Sequence, residues 1–357
     1  MIRLPRGQGV IAALRADNGS DAARLLKLLV WDCSGHYTQR LQQEAVIPVG
    51  ATGHTVRFWV PQLFDDQCLL LQSIPPPEGA TGQWTLQALS LVVDEIAERA
   101  GEAVRAERAD ALPIELETIA HAGGALEGRT YANSIATLER SLAAGFIWFE
   151  LDFQWTADGE LVCGHDWGPT LLPDLGLTPD VPPTLAQFLR AVGDRADAPC
   201  TVDALRDWLA THPQARIVTD LKERALDGLR VLAERIPNHG QRLIAQVYQP
   251  EELAQAQALG YQDIIWTLYR YRGGTREVLD ALMRIAPMAI TMDQGRLAAG
   301  LGLTLQRADV PVFVHTVNDA GQAQEYLAHW GATGIYTDTL APPLLEPLKI
   351  AERAESD

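Results

Sequence analysis

No apolar run in this sequence reaches the length of a membrane span. Near the basic start, the run VIAAL is shorter than the core of a signal peptide. Positive charge is scarce as well. Lys and Arg number 29 against 46 Asp and Glu, so the net charge is -17. Neither a nucleic acid nor an anionic membrane surface is therefore expected as the main partner. Cysteine is sparse, and Cys33, Cys68, Cys163 and Cys200 have no metal-ligand spacing. All four are expected to be reduced thiols in a cytoplasmic protein. No internal repeat or low-complexity segment stands out.

What is present is an ordinary globular composition, 47% hydrophobic and 21% charged. At 357 residues two domains are expected. Residues 1–95 contain short strand-like runs: KLLVWDC, QRLQQEAVIPV, HTVRFWV, CLLLQSI and WTLQALSLVV. Turn signals at Asp17-Asn18-Gly19, Gly50 to Gly53, Asp65-Asp66 and Pro75 to Gly82 separate them. That pattern predicts a small antiparallel β-sandwich or jelly roll. Its aromatics Trp31, Tyr37, Phe58, Trp59 and Trp84 either fill its core or form a glycan-binding platform. Residues 96–116 are expected to be a helical linker, since 92–110 show helical periodicity with alternating charge. From 117 to 357 the pattern becomes β then α, eight times. The strands are TIAH, IWFELDF, ARIVTDL, LIAQVY, IIWTLY, MAITMD, VFVHTV and GIYTD. Eight such units predict a TIM (β/α)8 barrel, with its active site at the C-terminal ends of the strands.

The richest segment runs from Ile119 to Asp166. It holds His121, Asn133, Glu150, Asp152, His165 and Asp166, most of them at the ends of apolar runs. Glu150 and Asp152 alternate along one strand, so both carboxylates face the same side. Two such carboxylates with histidines nearby point to a divalent metal and an acid/base pair. The Asp-Gly turn in TADGE predicts a hairpin that carries His165 back over the barrel mouth.

These residues resemble the glycerophosphodiester phosphodiesterase family, within the wider phosphatidylinositol-phospholipase-C-like group. The family pattern is His-Arg-Gly, Glu-Asn-Thr, Glu-x-Asp, Thr-x-Asp-Gly and His-Asp. Here it reads His121-Ala122-Gly123, Ala132-Asn133-Ser134, Glu150-Leu151-Asp152, Thr156-Ala157-Asp158-Gly159 and His165-Asp166. Further along, Pro183-Thr184-Leu185, Asp220-Leu221-Lys222, His315-Thr316-Val317-Asn318 and the GATGIYTD strand follow in family order, so the similarity spans about residues 117 to 345. Three positions depart from the pattern. Ala122 stands where the family has a phosphate-binding arginine. Asp220 replaces a glutamate, as in the sphingomyelinase D toxins that share the barrel. His315 replaces a tryptophan.

The resemblance implies metal-assisted phosphodiester chemistry on a small soluble substrate, glycerophosphodiester-like or a sugar or polyol phosphodiester. Glu150, Asp152 and Asp220 would hold one Mg²⁺ or Ca²⁺, and His121 and His165 would exchange protons. Lys222, Asn133, Arg129, Arg270 and His315 would contact substrate. Hydrolysis, cyclising transfer and synthesis all stay open. So does a different class of function, a retired barrel whose β domain binds a glycan or a partner without catalysis.

Overall fold

The computed structural model describes residues 2–343 apart from 5–8, 34–38, 61–62, 64–66, 75–77, 79, 110–113, 115–117, 169–180 and 196. Tyr37, the Asp65-Asp66 turn and the end of the expected linker lie outside the described residues.

The N-terminal strands are β1 (Ile2–Arg3), β2 (Gly9–Asn18), β3 (Arg24–Asp32), β4 (Gln39–Ile47), β5 (His54–Val60), β6 (Gln67–Ser73) and β7 (Trp84–Asp94). They form two antiparallel sheets, ordered β1-β6-β3-β4 and β5-β2-β7. Alternate residues point inward from each sheet. Val10, Ala12, Leu14 and Ala16 from β2 meet Leu26, Leu28 and Val30 from β3 in one core with Phe58 and Val60. Trp84 packs partly buried against this core, while Trp59 packs on the larger core of the barrel.

The helix Ile96–Glu107 joins the two parts of the chain. Ile96, Ala100 and Val104 bury one of its faces in the barrel's outer core. Gly101 sits on that face because a Cβ there would come within 2.6 Å of the Ala308 carbonyl oxygen.

The barrel strands are β8 (Thr118–Ala120), β9 (Trp148–Trp155), β11 (Arg216–Leu221), β12 (Leu243–Val247), β13 (Ile264–Thr267), β14 (Ala289–Asp293), β15 (Val312–His315) and β16 (Gly334–Thr337). All eight are parallel, and β8 pairs with both β16 and β9, which closes the barrel. Helices cover the outer face, so most strand residues are apolar on both sides. Ile119, Val218, Ile244, Ile265, Ala289, Phe313 and Tyr336 fill the interior. The short strand β10 (Leu161–Cys163) runs antiparallel to β9 beyond the Asp-Gly turn, as the hairpin signal predicts. No helix among the described residues is long and apolar enough to cross a membrane.

The cysteines depart from expectation. Cys33 bonds to Cys68 and Cys163 to Cys200, so all four are disulfides rather than thiols. The partners are 35 and 37 residues apart, a separation that carries no local signal. Sheet registry brings the first pair together, since β3 and β6 are neighbours and Trp31 lies opposite Cys68. The second pair ties the end of β10 to the residues ahead of the helix Val202–Thr211, where the Cys163 N–H also donates to the Cys200 carbonyl at 2.8 Å. The inference from reduced thiols to a cytoplasmic address falls with this finding. Replacing both Cys163 and Cys200 by serine should lower unfolding stability by about 2–4 kcal/mol, read by chemical denaturation. Alkylation of the unreduced, unfolded protein should label no cysteine in intact-mass analysis; a labelled thiol would return the reading to reduced cysteines.

Candidate active site

A period of two builds the barrel mouth. Each interior apolar residue is followed two positions later by a polar one: Ile119 by His121, Val218 by Asp220, Ile244 by Gln246, Phe313 by His315, Tyr336 by Asp338. On β9 the same face carries Trp148, Glu150 and Asp152. The register between β9 and β11 sets Val218 beside Glu150 and Asp220 beside Asp152. Glu150, Asp152 and Asp220 are all buried, and one oxygen from each lies within 4.8 Å of the others.

Lys222 reaches into this triad. Its Nζ lies 2.8 Å from Asp152 Oδ1 and 2.5 Å from Asp220 Oδ2. Burial disfavours its charge, but Asp220, Asp152 and Glu150 outweigh burial and hold the ammonium firmly protonated. Burial likewise pushes the Asp220 carboxyl up, and Lys222 overcomes it, so the group stays below its ordinary range. The Tyr248 hydroxyl bonds to the second oxygen of Asp220. Asn133 clamps Asp152: Nδ2 donates to Oδ2 at 3.0 Å, and the Asp152 N–H donates to Oδ1 at 2.9 Å.

Glu150 is the unsatisfied member. Its Oε2 accepts the Ala122 N–H at 2.8 Å, but Oε1 is buried with no hydrogen bond among the described residues. Burial first and Asp152 second raise its carboxyl above the ordinary range. A bare buried carboxylate oxygen is costly. Three carboxylates facing one ammonium also leave net negative charge. A divalent cation held by oxygen ligands meets both needs, and the donor set fits one.

The two histidines stand over the triad. The short turn His121–Gly123 follows β8, and His121 Nδ1 lies 2.8 Å from Asp338 Oδ1 at the end of β16. Asn318 Nδ2 donates to the other Asp338 oxygen at 2.6 Å. Burial opposes charge on His121, yet Asp338, Glu150 and Asp152 prevail and raise its pKa to about 9. His165 follows β10; the Gly164 N–H donates to the Asp152 carbonyl at 2.8 Å, and Gln154 Nε2 donates to the His165 carbonyl at 2.7 Å. Its Nδ1 lies 2.8 Å from Asp166 Oδ2, and the Gly168 N–H donates to Asp166 Oδ1 at 2.6 Å. In both rings Nδ1 is engaged, which leaves Nε2 for a ligand.

A cavity of about 160 Å³ opens here, lined by both histidines, Glu150, Asp220, Lys222, His315 and five neutral residues including Tyr131 and Tyr269. Burial, then the charge of His121, lowers the His315 pKa to about 4, so its imidazole is neutral near pH 7. Three non-glycine residues near this cavity adopt left-handed backbone: Ala122 (φ 49), Tyr131 (φ 58) and Asn133 (φ 48). Each such conformation costs on the order of 1 kcal/mol or more and persists where its surroundings enforce it. The bonds from Ala122 to Glu150 and from Asn133 to Asp152 and the Ala122 carbonyl do so here.

Among the residues marked from sequence, His121, Glu150, His165, Asp220, Lys222 and His315 line the cavity. Asp152 and Asn133 sit beneath it through their bonds to Lys222 and to each other. Arg129 pairs with Asp197 and does not line the cavity. Arg270 lies over the rings of Tyr248 and Tyr269, 4.6 and 5.4 Å from their centroids. Four residues had no assigned role from sequence: Tyr131, Asn318, Tyr248 and Asp338. Asp338 and Asn318 lay inside recognised motifs, GIYTD and HTVND, but their pairing with His121 depends on barrel closure.

A crystal structure of a glycerophosphodiester phosphodiesterase from Parabacteroides distasonis matches with a TM-score of 0.50 at 18% identity, covering 63% of this chain and 93% of that one. A candidate glycerophosphodiester phosphodiesterase from Galdieria sulphuraria matches with a TM-score of 0.51 at 16% identity, covering 62% and 93%. The barrel has the glycerophosphodiester phosphodiesterase fold. No family model matches the sequence, and no curated protein does. The likeness therefore resides in the fold of the barrel, and chemistry has to be argued from the side chains.

The His121–Asp338 pair has a pH signature. The His121 pKa is raised from 6.5 to about 9, so its contribution to stability is complete below pH 6.5 and fades as pH climbs through 9. Metal-free protein should lose stability over that window. Asp338→Asn should flatten the slope, measured by urea unfolding at pH 6, 7.5 and 9. An unchanged slope would remove Asp338 as the holder of the charged ring.

Proposed function

We propose that the protein is a metal-dependent phosphodiesterase that cleaves a small soluble phosphodiester by acid–base catalysis from His121 and His165. The observation that carries this reading is their arrangement. Two imidazoles, each with Nδ1 anchored to a carboxylate, line one cavity with Glu150, Asp220 and Lys222. The fold and the order of the motifs support the same class of chemistry.

Glu150, Asp152 and Asp220 would hold Mg²⁺ or Ca²⁺, because all their donors are hard oxygens. A cation held there would supply Lewis-acid polarisation of a phosphoryl oxygen and offset charge built in the transition state. Lys222, fixed between Asp152 and Asp220, adds a second positive group against the phosphate. His121, kept protonated by Asp338, donates its Nε2 proton to the departing alkoxide oxygen. His165, at the more open side with its side chain 37% exposed, takes the proton of the attacking hydroxyl or water. Neutral His315 offers one further hydrogen bond to the substrate.

Phosphorus NMR of the reaction with glycerophosphodiesters and sugar phosphodiesters tests this proposal. A phosphomonoester product marks hydrolysis, and a cyclic phosphodiester marks internal transfer. Intact substrates across the panel, with divalent cation present and the protein folded, would contradict it.

A further inference from the structure

Tyr131 holds an unusual place between the two histidines. Its ring makes edge-on contacts with His121 and with His165, and both centroid separations are 4.8 Å. The residue lines the cavity. Its backbone is left-handed at φ 58, a conformation a large side chain rarely adopts, and Asn133 Nδ2 donates to its carbonyl at 3.3 Å. Among the described contacts its hydroxyl has no hydrogen bond, although Asp152, Asp338, Glu150 and Lys222 all act on it electrostatically. Burial and those carboxylates push the phenol up, so it remains a neutral donor. A left-handed backbone thus holds a phenol in the wall of the cavity, between two proton-transfer groups, where a bound ligand would meet its hydroxyl.

We infer that Tyr131 contacts the substrate, its hydroxyl donating a hydrogen bond to a non-bridging oxygen of the phosphodiester. This rests on the phosphodiesterase reading. The donor would strengthen as charge accumulates on that oxygen in the transition state, while the ring keeps the two imidazoles apart and oriented. Tyr131 is then a residue of the reaction as well as a spacer.

Tyr131→Phe isolates the hydroxyl, because the ring and its contacts stay. With bis(p-nitrophenyl) phosphate the expected result is a fall in kcat of about a hundredfold, with KM changed far less. Binding of inorganic phosphate, followed by calorimetry, should weaken in the same variant, while its melting temperature stays at the wild-type value. Wild-type kcat together with unchanged phosphate affinity in Tyr131→Phe overturns the inference and leaves the phosphodiesterase reading standing. A rise in kcat for Tyr131→Ala also overturns it, because the ring would then obstruct the site. Wild-type protein that neither cleaves the diester nor binds phosphate overturns both readings.

Discussion

Replacing His121 by alanine should lower phosphodiester turnover by about a hundredfold or more, since it removes the positioned proton donor. The same loss is expected for His165→Ala. The two variants differ in stability. His121 is buried against Asp338, so its removal leaves a buried carboxylate with Asn318 as its remaining side-chain partner among the described residues. His165 is much more open, and its removal should leave the melting temperature near that of the wild type. Steady-state kinetics beside thermal melts separates lost chemistry from lost fold. If either variant keeps wild-type turnover on a substrate that the wild type cleaves, that histidine has no part in proton transfer.

Glu150→Gln should produce two opposite effects. It preserves shape and the acceptor for the Ala122 N–H but removes the charge from the buried, unpaired Oε1. Divalent-cation affinity should drop at least tenfold, and activity with it. Stability of the metal-free protein should rise instead. The Glu150 carboxyl is raised by burial and by Asp152, so ionising it favours the unfolded chain as pH climbs above 4.5. Calorimetric Mn²⁺ titration and urea unfolding in EDTA at pH 7.5 read the two effects. Unchanged Mn²⁺ affinity would remove Glu150 from the cation site. A less stable apo variant would mean that Glu150 already has a partner without the cation.

Much of this molecule is legible in its sequence, for identifiable reasons. All eight barrel strands appear as short β-branched or aromatic runs, because parallel strands are covered on both faces. The alternation of Glu150 and Asp152, and the polar residues that end each run, mark the end of the barrel that holds the candidate site. The strand β2 is harder to see. Its residues GVIAALRADN include three alanines, weak strand formers, yet it lies central in its sheet between β5 and β7. Tertiary pairing decides there. The disulfides are invisible for a related reason: partners 35 and 37 residues apart meet only through registry and loop packing. Asp338 belongs to His121 across 217 residues, a contact made when the last strand closes on the first. Tyr131 is hidden differently, since its importance lies in a left-handed backbone and two ring contacts rather than in its residue type. Arg129 reads as a phosphate ligand by its place in the loop, but Asp197 engages it.

In the proposed reaction the carboxylate triad and the two histidines act together as a cation-dependent phosphodiesterase. Hydrolysis of bis(p-nitrophenyl) phosphate by the full chain tests it most directly, measured after EDTA treatment and again after adding back Mg²⁺, Ca²⁺ or Mn²⁺. The expected result is negligible turnover in EDTA, recovery with at least one cation, and no recovery in Glu150→Gln. Turnover that is unaffected by EDTA, or its absence under every cation with the protein folded, would contradict the claim.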